Sequence, residues 1–139
     1  MADISITAAN VLPSSAAIIL RQYNFGATVT VGQAVYLDAA TNTWKLQDLN
    51  AGVTGNELAT VRGIAVSGGN SGQPAAVCVK DTDFGPGGTL TNGSPVFGSN
   101  TAGGIAHDVP IAGAFPVIMG LAKSASKMNL NPTASGAVI

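Results

Sequence analysis

The stretch Thr28-Val29-Thr30-Val31-Gly32-Gln33-Ala34-Val35-Tyr36 is matched later in the chain by Thr89-Leu90-Thr91-Asn92-Gly93-Ser94-Pro95-Val96-Phe97. Both have the form T-apolar-T-x-G-x-x-V-aromatic, which reads as a strand, a tight turn at the glycine, and a second strand. Each is followed by a second shared element, Gly63-Ile64-Ala65-Val66-Ser67 and Gly120-Leu121-Ala122-Lys123-Ser124, of the form G-apolar-A-x-S. Glycine there permits close backbone approach in a strand. The order is the same in both halves, which suggests two related β-modules. The other reading is two hairpins that share turn chemistry by chance.

Working outward, the periodicity is two and not 3.6. Ala34-Val35-Tyr36-Leu37, Thr43-Trp44-Lys45-Leu46, Val61 to Val66 and Ala76 to Lys80 are short apolar or β-branched bursts. Thr28 to Val31 reads as a further strand. Between the bursts lie turn residues, among them Gly68-Gly69-Asn70-Ser71-Gly72, Gly85-Pro86-Gly87-Gly88, Asn92-Gly93 and Gly103-Gly104. The only helical candidate is Asn56-Glu57-Leu58-Ala59-Thr60, with Asn56 as N-cap. The expected fold is all-β: a small β-barrel or β-tulip-like domain over residues 16–139, preceded by an N-terminal arm at 1–15.

The arm alternates as Ile4-Ser5-Ile6-Thr7, breaks at Pro13-Ser14-Ser15, and shows no turn back to itself. Such a segment can add a strand to a partner's sheet edge, with Asp3, Ile4, Ile6, Val11 and Leu12 as the contact residues. Residues 16–22 read equally well as the first strand of the domain. The tail from Asn131 to Ile139 is small, uncharged and ends apolar, so it frays or docks on a neighbour.

Composition narrows the function. The chain has 139 residues with six Lys+Arg, seven Asp+Glu and a net charge of −1. That is 9% charged, against roughly 25% in an average soluble protein. Without a basic run it lacks the footprint for nucleic acid or an anionic membrane, so neither is expected as a partner. Hydrophobic residues reach 46% with 18 glycines, and alanine supplies a large share, so the core is thin and assembly with other chains would supply missing area. Met1-Ala2-Asp3-Ile4 carries no positive n-region, and the run from Ile111 to Ala122 is broken by Pro116 and too short to span a bilayer. An exported or membrane-spanning chain is therefore not expected, and Asn92-Gly93-Ser94 reads as a turn and not as a glycosylation site.

Catalytic constellations are not in evidence. One histidine and one cysteine cannot make a zinc site of ordinary ligand count, and Cys78 reads as a buried hydrophobe. His107-Asp108 reads as a loop pair. No G-x-S-x-G elbow and no phosphate-binding loop occurs. Asp81-Thr82-Asp83-Phe84-Gly85 starts like a calcium loop but lacks its later ligands, so it reads as a turn with solvated carboxylates. Glu57 is the sole glutamate. No enzyme activity, cofactor or metal is expected.

Ile6-Thr7-Ala8-Ala9-Asn10-Val11-Leu12-Pro13-Ser14, the run from Gly26 to Asp38, Arg62-Gly63-Ile64-Ala65, Gly72-Gln73-Pro74-Ala75-Ala76-Val77 and Gly103-Gly104-Ile105-Ala106 have a distinctive order. Together they resemble the head decoration, or capsid cement, proteins of tailed bacteriophages over nearly the whole chain. The resemblance implies a homotrimer on the outer surface of the virion, at three-fold or quasi-three-fold positions of the expanded shell, bridging major capsid protein subunits. Such a protein is made in the host cytoplasm. Tyr36 and Phe97 hold equivalent places in the repeat and are expected as core or trimer contacts. The competing class is a recognition module, a fibre, spike or glycan-binding domain, for which Trp44 beside Thr43 and Lys45 is the best exposed aromatic.

Overall fold

A computed structural model of the chain describes residues 3–49, 61–108 and 116–134. The described strands are β1 (Val11–Leu12), β2 (Ile18–Leu20), β3 (Asn24–Phe25), β4 (Ala34–Asp38), β5 (Thr43–Leu46), β6 (Arg62–Ala65), β7 (Val77–Pro86), β8 (Pro95–Gly98), β9 (Ile105–Ala106), β10 (Val117–Ala122) and β11 (Met128–Ala134). Among the described residues the only helical piece is one 3₁₀ turn, Ala8–Asn10. The fold is all-β, and the helix expected at 56–60 lies outside the described residues. The sheet runs β3-β5-β4-β6-β7-β11-β10-β8-β9, with β1 and β2 also paired to β7. Among the described strands only β3 with β5 is parallel. Among the described residues the ladder is a single open mixed sheet, which fits the expected small all-β domain without showing closure into a barrel.

The duplication read from the sequence is a duplication of hydrogen bonds. In the first half Val35 lies opposite Gly63 and Ala34 opposite Ile64; in the second, Val96 lies opposite Gly120 and Pro95 opposite Leu121. The Gly32 amide donates to the Ala65 carbonyl at 2.9 Å, and the Gly93 amide to the Ala122 carbonyl at 2.9 Å. In return the Ala65 amide donates to Gln33 O at 2.9 Å, and that of Ala122 to Ser94 O at 3.0 Å. The repeat extends to a third strand. Ile64 and Ala65 face Cys78 and Val77, as Leu121 and Ala122 face Asn129 and Met128. The serine ending each G-apolar-A-x-S element accepts the amide that opens that strand, Ala76 N–H on Ser67 Oγ at 2.9 Å and Lys127 N–H on Ser124 Oγ at 3.1 Å. Shared turn chemistry alone would not reproduce the register of three strands.

The turns explain why the repeat carries its glycine. Thr30–Gln33 and Thr91–Ser94 each close with an amide of the fourth residue on the carbonyl of the first, at 3.2 and 3.1 Å. Their third residues, Gly32 and Gly93, have φ of 97° and 81°, the left-handed region that a β-turn of this kind demands. Asn70–Gln73 and Thr101–Gly104 are built in the same way.

Packing breaks the symmetry of the two modules. Alternate residues of β4, β6 and β7 enter different clusters: Ala34, Ile64 and Cys78 one, Val35, Ala65 and Val77 the other, so both faces of this module are covered. In the second module Val96, Met119, Ala122, Met128 and Leu130 enter the first cluster. Its opposite face is open: Ile118 and Leu121 are 47% and 50% exposed, beside exposed Pro95 and Asn129 and half-buried Phe97.

Two strand expectations are corrected. Of Thr28 to Val31, only Val29 pairs, in an isolated bridge to Gly69. Asp81 to Gly85 is not a turn; β7 continues through it, pairing Phe84 with Met128 and Asp81 with Leu130. Two aspartates and a glycine favour a turn locally, but here long-range pairing overrides that preference.

Gly63 and Gly120 test the repeat directly. A Cβ at Gly63 would lie 2.2 Å from the Cys78 carbonyl oxygen, and one at Gly120 1.9 Å from that of Asn129. Gly120→Ala and Gly63→Ala are each expected to cost about 1–3 kcal/mol or more, as overpacking against backbone does. Gly93 has open space around its Cβ position, so Gly93→Ala carries only the strain of its positive φ, about 1–2 kcal/mol. Urea unfolding of the three variants measures the difference.

Candidate functional site

The N-terminal segment does not stand away from the domain. Contrary to the expectation of an arm with no turn back, it lies antiparallel along β7, with Val11 and Leu12 opposite Pro86 and Gly85, and Ile18 to Leu20 opposite Lys80 to Val77. The Ile4 amide donates to Ile105 O and the Thr7 amide to Gly87 O, both at 2.8 Å. Ile4, Ile6 and Val11 are partly buried against the main core, so the residues read as capsid contacts mostly face their own domain. Asp3 is exposed, and Leu12 is exposed at 59%. The seat is cut in glycine: a Cβ on Gly88 would lie 2.5 Å from Ser5 O, and one on Gly87 2.7 Å from Thr7 O.

Two buried polar groups of the domain hold this segment. Asp81, in mid-β7, is fully buried. Its Oδ2 accepts the Ser14 amide at 2.7 Å, and its Oδ1 accepts the Ser14 hydroxyl and the Asp83 amide, the latter at 3.0 Å. Burial pushes this carboxyl up, but the Ser14 and Asp83 hydrogen bonds, with the Lys127 charge nearby, outweigh it and hold it below the usual carboxylate range. At the other end Ser99, also buried, donates its hydroxyl to the Asp3 carboxylate and accepts the Thr101 amide at 3.0 Å. Between the segment and the turns Thr30–Gln33 and Thr101–Gly104 lies a groove of about 300 Å³.

Other polar groups of the domain have structural partners, although the buried Trp44 Nε1 and Asn100 Oδ1 have none. His107 spans the second repeat turn: its Nε2 accepts the Thr91 amide at 2.9 Å, which leaves Nδ1–H to donate to Pro95 O at 2.8 Å. Buried Arg62 donates to Gln47 Oε1 at 3.0 Å, and Gln47 reaches Met119 Sδ at 3.5 Å, tying β6 to β10 across the core. Asp38 and Lys45 form a surface ion pair at 2.7 Å across β4 and β5. Among the described residues no group of three His, Cys, Asp or Glu side chains could hold a metal ion.

The aromatic expectations divide. Tyr36 is buried, whereas Phe97, at the equivalent position, is half-buried on the open face of the second module. Trp44, read as the exposed aromatic, is fully buried with Phe25 in the second cluster. Its alternation with Thr43 and Lys45 was right in period, but β5 turns the tryptophan inward. Sequence reasoning missed Ser14, Asp81 and Ser99 because each is an ordinary turn former whose partner is far away in the chain.

Two outcomes follow. With a folded pKa below its ordinary value of about 3.9, Asp81 contributes stability that is fully present above that value and lost as pH falls through the folded one. Asp81→Asn is therefore expected to cost about 1–3 kcal/mol at pH 7, and the gap to wild type should narrow toward pH 2 in thermal melts. Burial first, and then the Asp81 charge, push the Cys78 thiol up to about 11. A thiol reagent at pH 8 should label it only in denaturant.

Comparison with protein-family models and with curated proteins finds no match to this chain.

Proposed function

We propose that the chain is a head decoration protein: it binds the outside of an expanded phage capsid as a trimer and stiffens the shell by bridging major capsid subunits. The observation that supports this reading best is the open face of the second module. Phe97 lies opposite Ile118, and Leu121 between Pro95 and Asn129, a surface without a charged residue at any of these positions. The same face of the first module is buried by packing within the chain. A protein whose fold leaves one of two equivalent apolar faces open suits a life spent in contact with other subunits. The two large apolar residues exposed on the N-terminal segment, Leu12 and Ile18, add a second such surface.

Mechanistically, a protein that binds the expanded shell but not its precursor shifts the equilibrium toward the expanded form by its differential affinity. Bound copies then oppose the pressure of packaged DNA. A recognition module has less support, because Trp44, the aromatic that would serve it, is buried.

The test adds purified protein to heads that lack it and measures occupancy with rupture under heat or osmotic shock. Wild type should raise the rupture threshold, while Ile118→Asp combined with Leu121→Asp should bind at least about tenfold more weakly, from two lost apolar burials. Full occupancy with an unchanged threshold would sink the proposal.

A further inference from the structure

We infer that residues 3–14 form a strap, closed over the domain by two Ser–Asp pairs and able to open about Ser15 and Ala16 while the sheet stays folded. The inference concerns the isolated chain and does not rest on the capsid reading.

The first ground is shallow burial. No residue from Asp3 to Ser14 is fully buried; Ile18 to Leu20 are no deeper, but three successive residues of pairing with β7 hold them. The segment's apolar side chains, Ile4, Ile6 and Val11, rest on the core without entering it. Cooperative units with few buried contacts open at lower free energy than the core they rest on.

The second ground is the fastening. Asp81 and Ser99 are two of the buried polar residues of the domain, and each spends its side chain on the segment. The pairs are reciprocal: at one end the strap supplies serine to a buried aspartate, at the other it supplies aspartate to a buried serine. Neighbouring amides complete each clasp, Asp83 N–H on Asp81, Thr101 N–H on Ser99, and Ala16 N–H on Ser14 Oγ at 3.1 Å. Because those amides belong to the domain or the hinge, the domain's two acceptors keep a partner when the strap lifts.

The third ground is the open flank of the strap. A groove of about 300 Å³ separates Ile4, Ile6 and Ala8 from the turns Thr30–Gln33 and Thr101–Gly104, so lifting the strap forfeits little packing across that side. Its seat is pre-cut, since Gly87 and Gly88 have no side chain to collapse into the vacated track. Beyond the hinge the chain stays: Ile18 to Leu20 remain paired to β7, with Ile19 and Leu20 packed on the two core clusters. Opening would bare the β7 edge at Gly85 and Pro86, together with the carbonyls of Gly87 and Ile105.

Hydrogen exchange on the full-length chain at neutral pH tests this. Wild-type amides of residues 4–12 should exchange at least about tenfold faster than those of 62–66 and 117–122. Ser14→Ala with Ser99→Ala should speed the strap by about another tenfold and leave both sheet segments unchanged. Strap amides as slow as the sheet in wild type would overturn the inference, as would a variant that speeds strap and sheet together or leaves the strap unchanged. Should the double variant not fold, the wild-type ratio and Ser14→Ala alone decide by the same criteria.

Discussion

At two equivalent points in this protein a carbonyl oxygen occupies the space where any side chain would begin. The Cys78 oxygen stands over Gly63 and the Asn129 oxygen over Gly120, closer than a Cβ could tolerate. Those contacts set how tightly the third strand of each module is drawn onto the second, and the surrounding G-apolar-A-x-S element is organised around them. The apolar residue points to one face, the alanine keeps the other face thin while both its backbone groups pair across the turn, and the serine caps the next strand's first amide. A chain rich in glycine and alanine has little side-chain volume with which to fix register. Here backbone hydrogen bonds and the absence of a Cβ do that work.

Repeating a module does not repeat its environment. Ile64 and Leu121 hold the same place in the motif and the same place in the ladder, yet one is fully buried and the other half exposed. The cause is the way the halves pack. The first module turns Ala34, Ile64 and Cys78 into a core shared with the second module's Val96, Ala122 and Met128, which are equivalent to its own opposite face. Packing one face of a unit on the opposite face of its copy is a heterologous arrangement, and it leaves one face of each copy outside the shared core. The first module's remaining face is covered by Phe25, Val29 and Trp44. The second module's has no such cover among the described residues.

This contrast marks the limit of what could be read from the letters. The strands at Ala34, Thr43 and Arg62 were legible because their alternation and flanking turns are local, as were the glycines with positive φ. The duplication was legible because its two elements keep their internal form and recur in the same order. Which face of β10 is wet was not, since Ile118, Met119 and Leu121 are all apolar and only a bulge between Ile118 and Gly120 decides which of them turn out. Trp44 was misread for a related reason: a tryptophan between a threonine and a lysine has the right period for a strand but carries no mark of which sheet face is inward. The continuation of β7 through Asp81 was hidden because its justification, Ser14, lies 67 residues away.

The N-terminal segment shows how polar groups can fasten where apolar area is short. Its isoleucines bury too little to fix it alone, and its backbone pairs are few. A carboxylate buried without partners would be neutral or absent; Asp81 stays ionised because three donors meet it, two of them from one serine. At this end the stabilisation is therefore concentrated at one residue and depends on geometry, in contrast to apolar packing, which is spread over many contacts and degrades gradually. A segment held in this manner is either registered with both oxygens of Asp81 filled, or it leaves a buried charge half satisfied, and intermediate placements are penalised. That makes its position on β7 close to all-or-none, which follows from the chemistry of the clasp whatever the shell or partner outside.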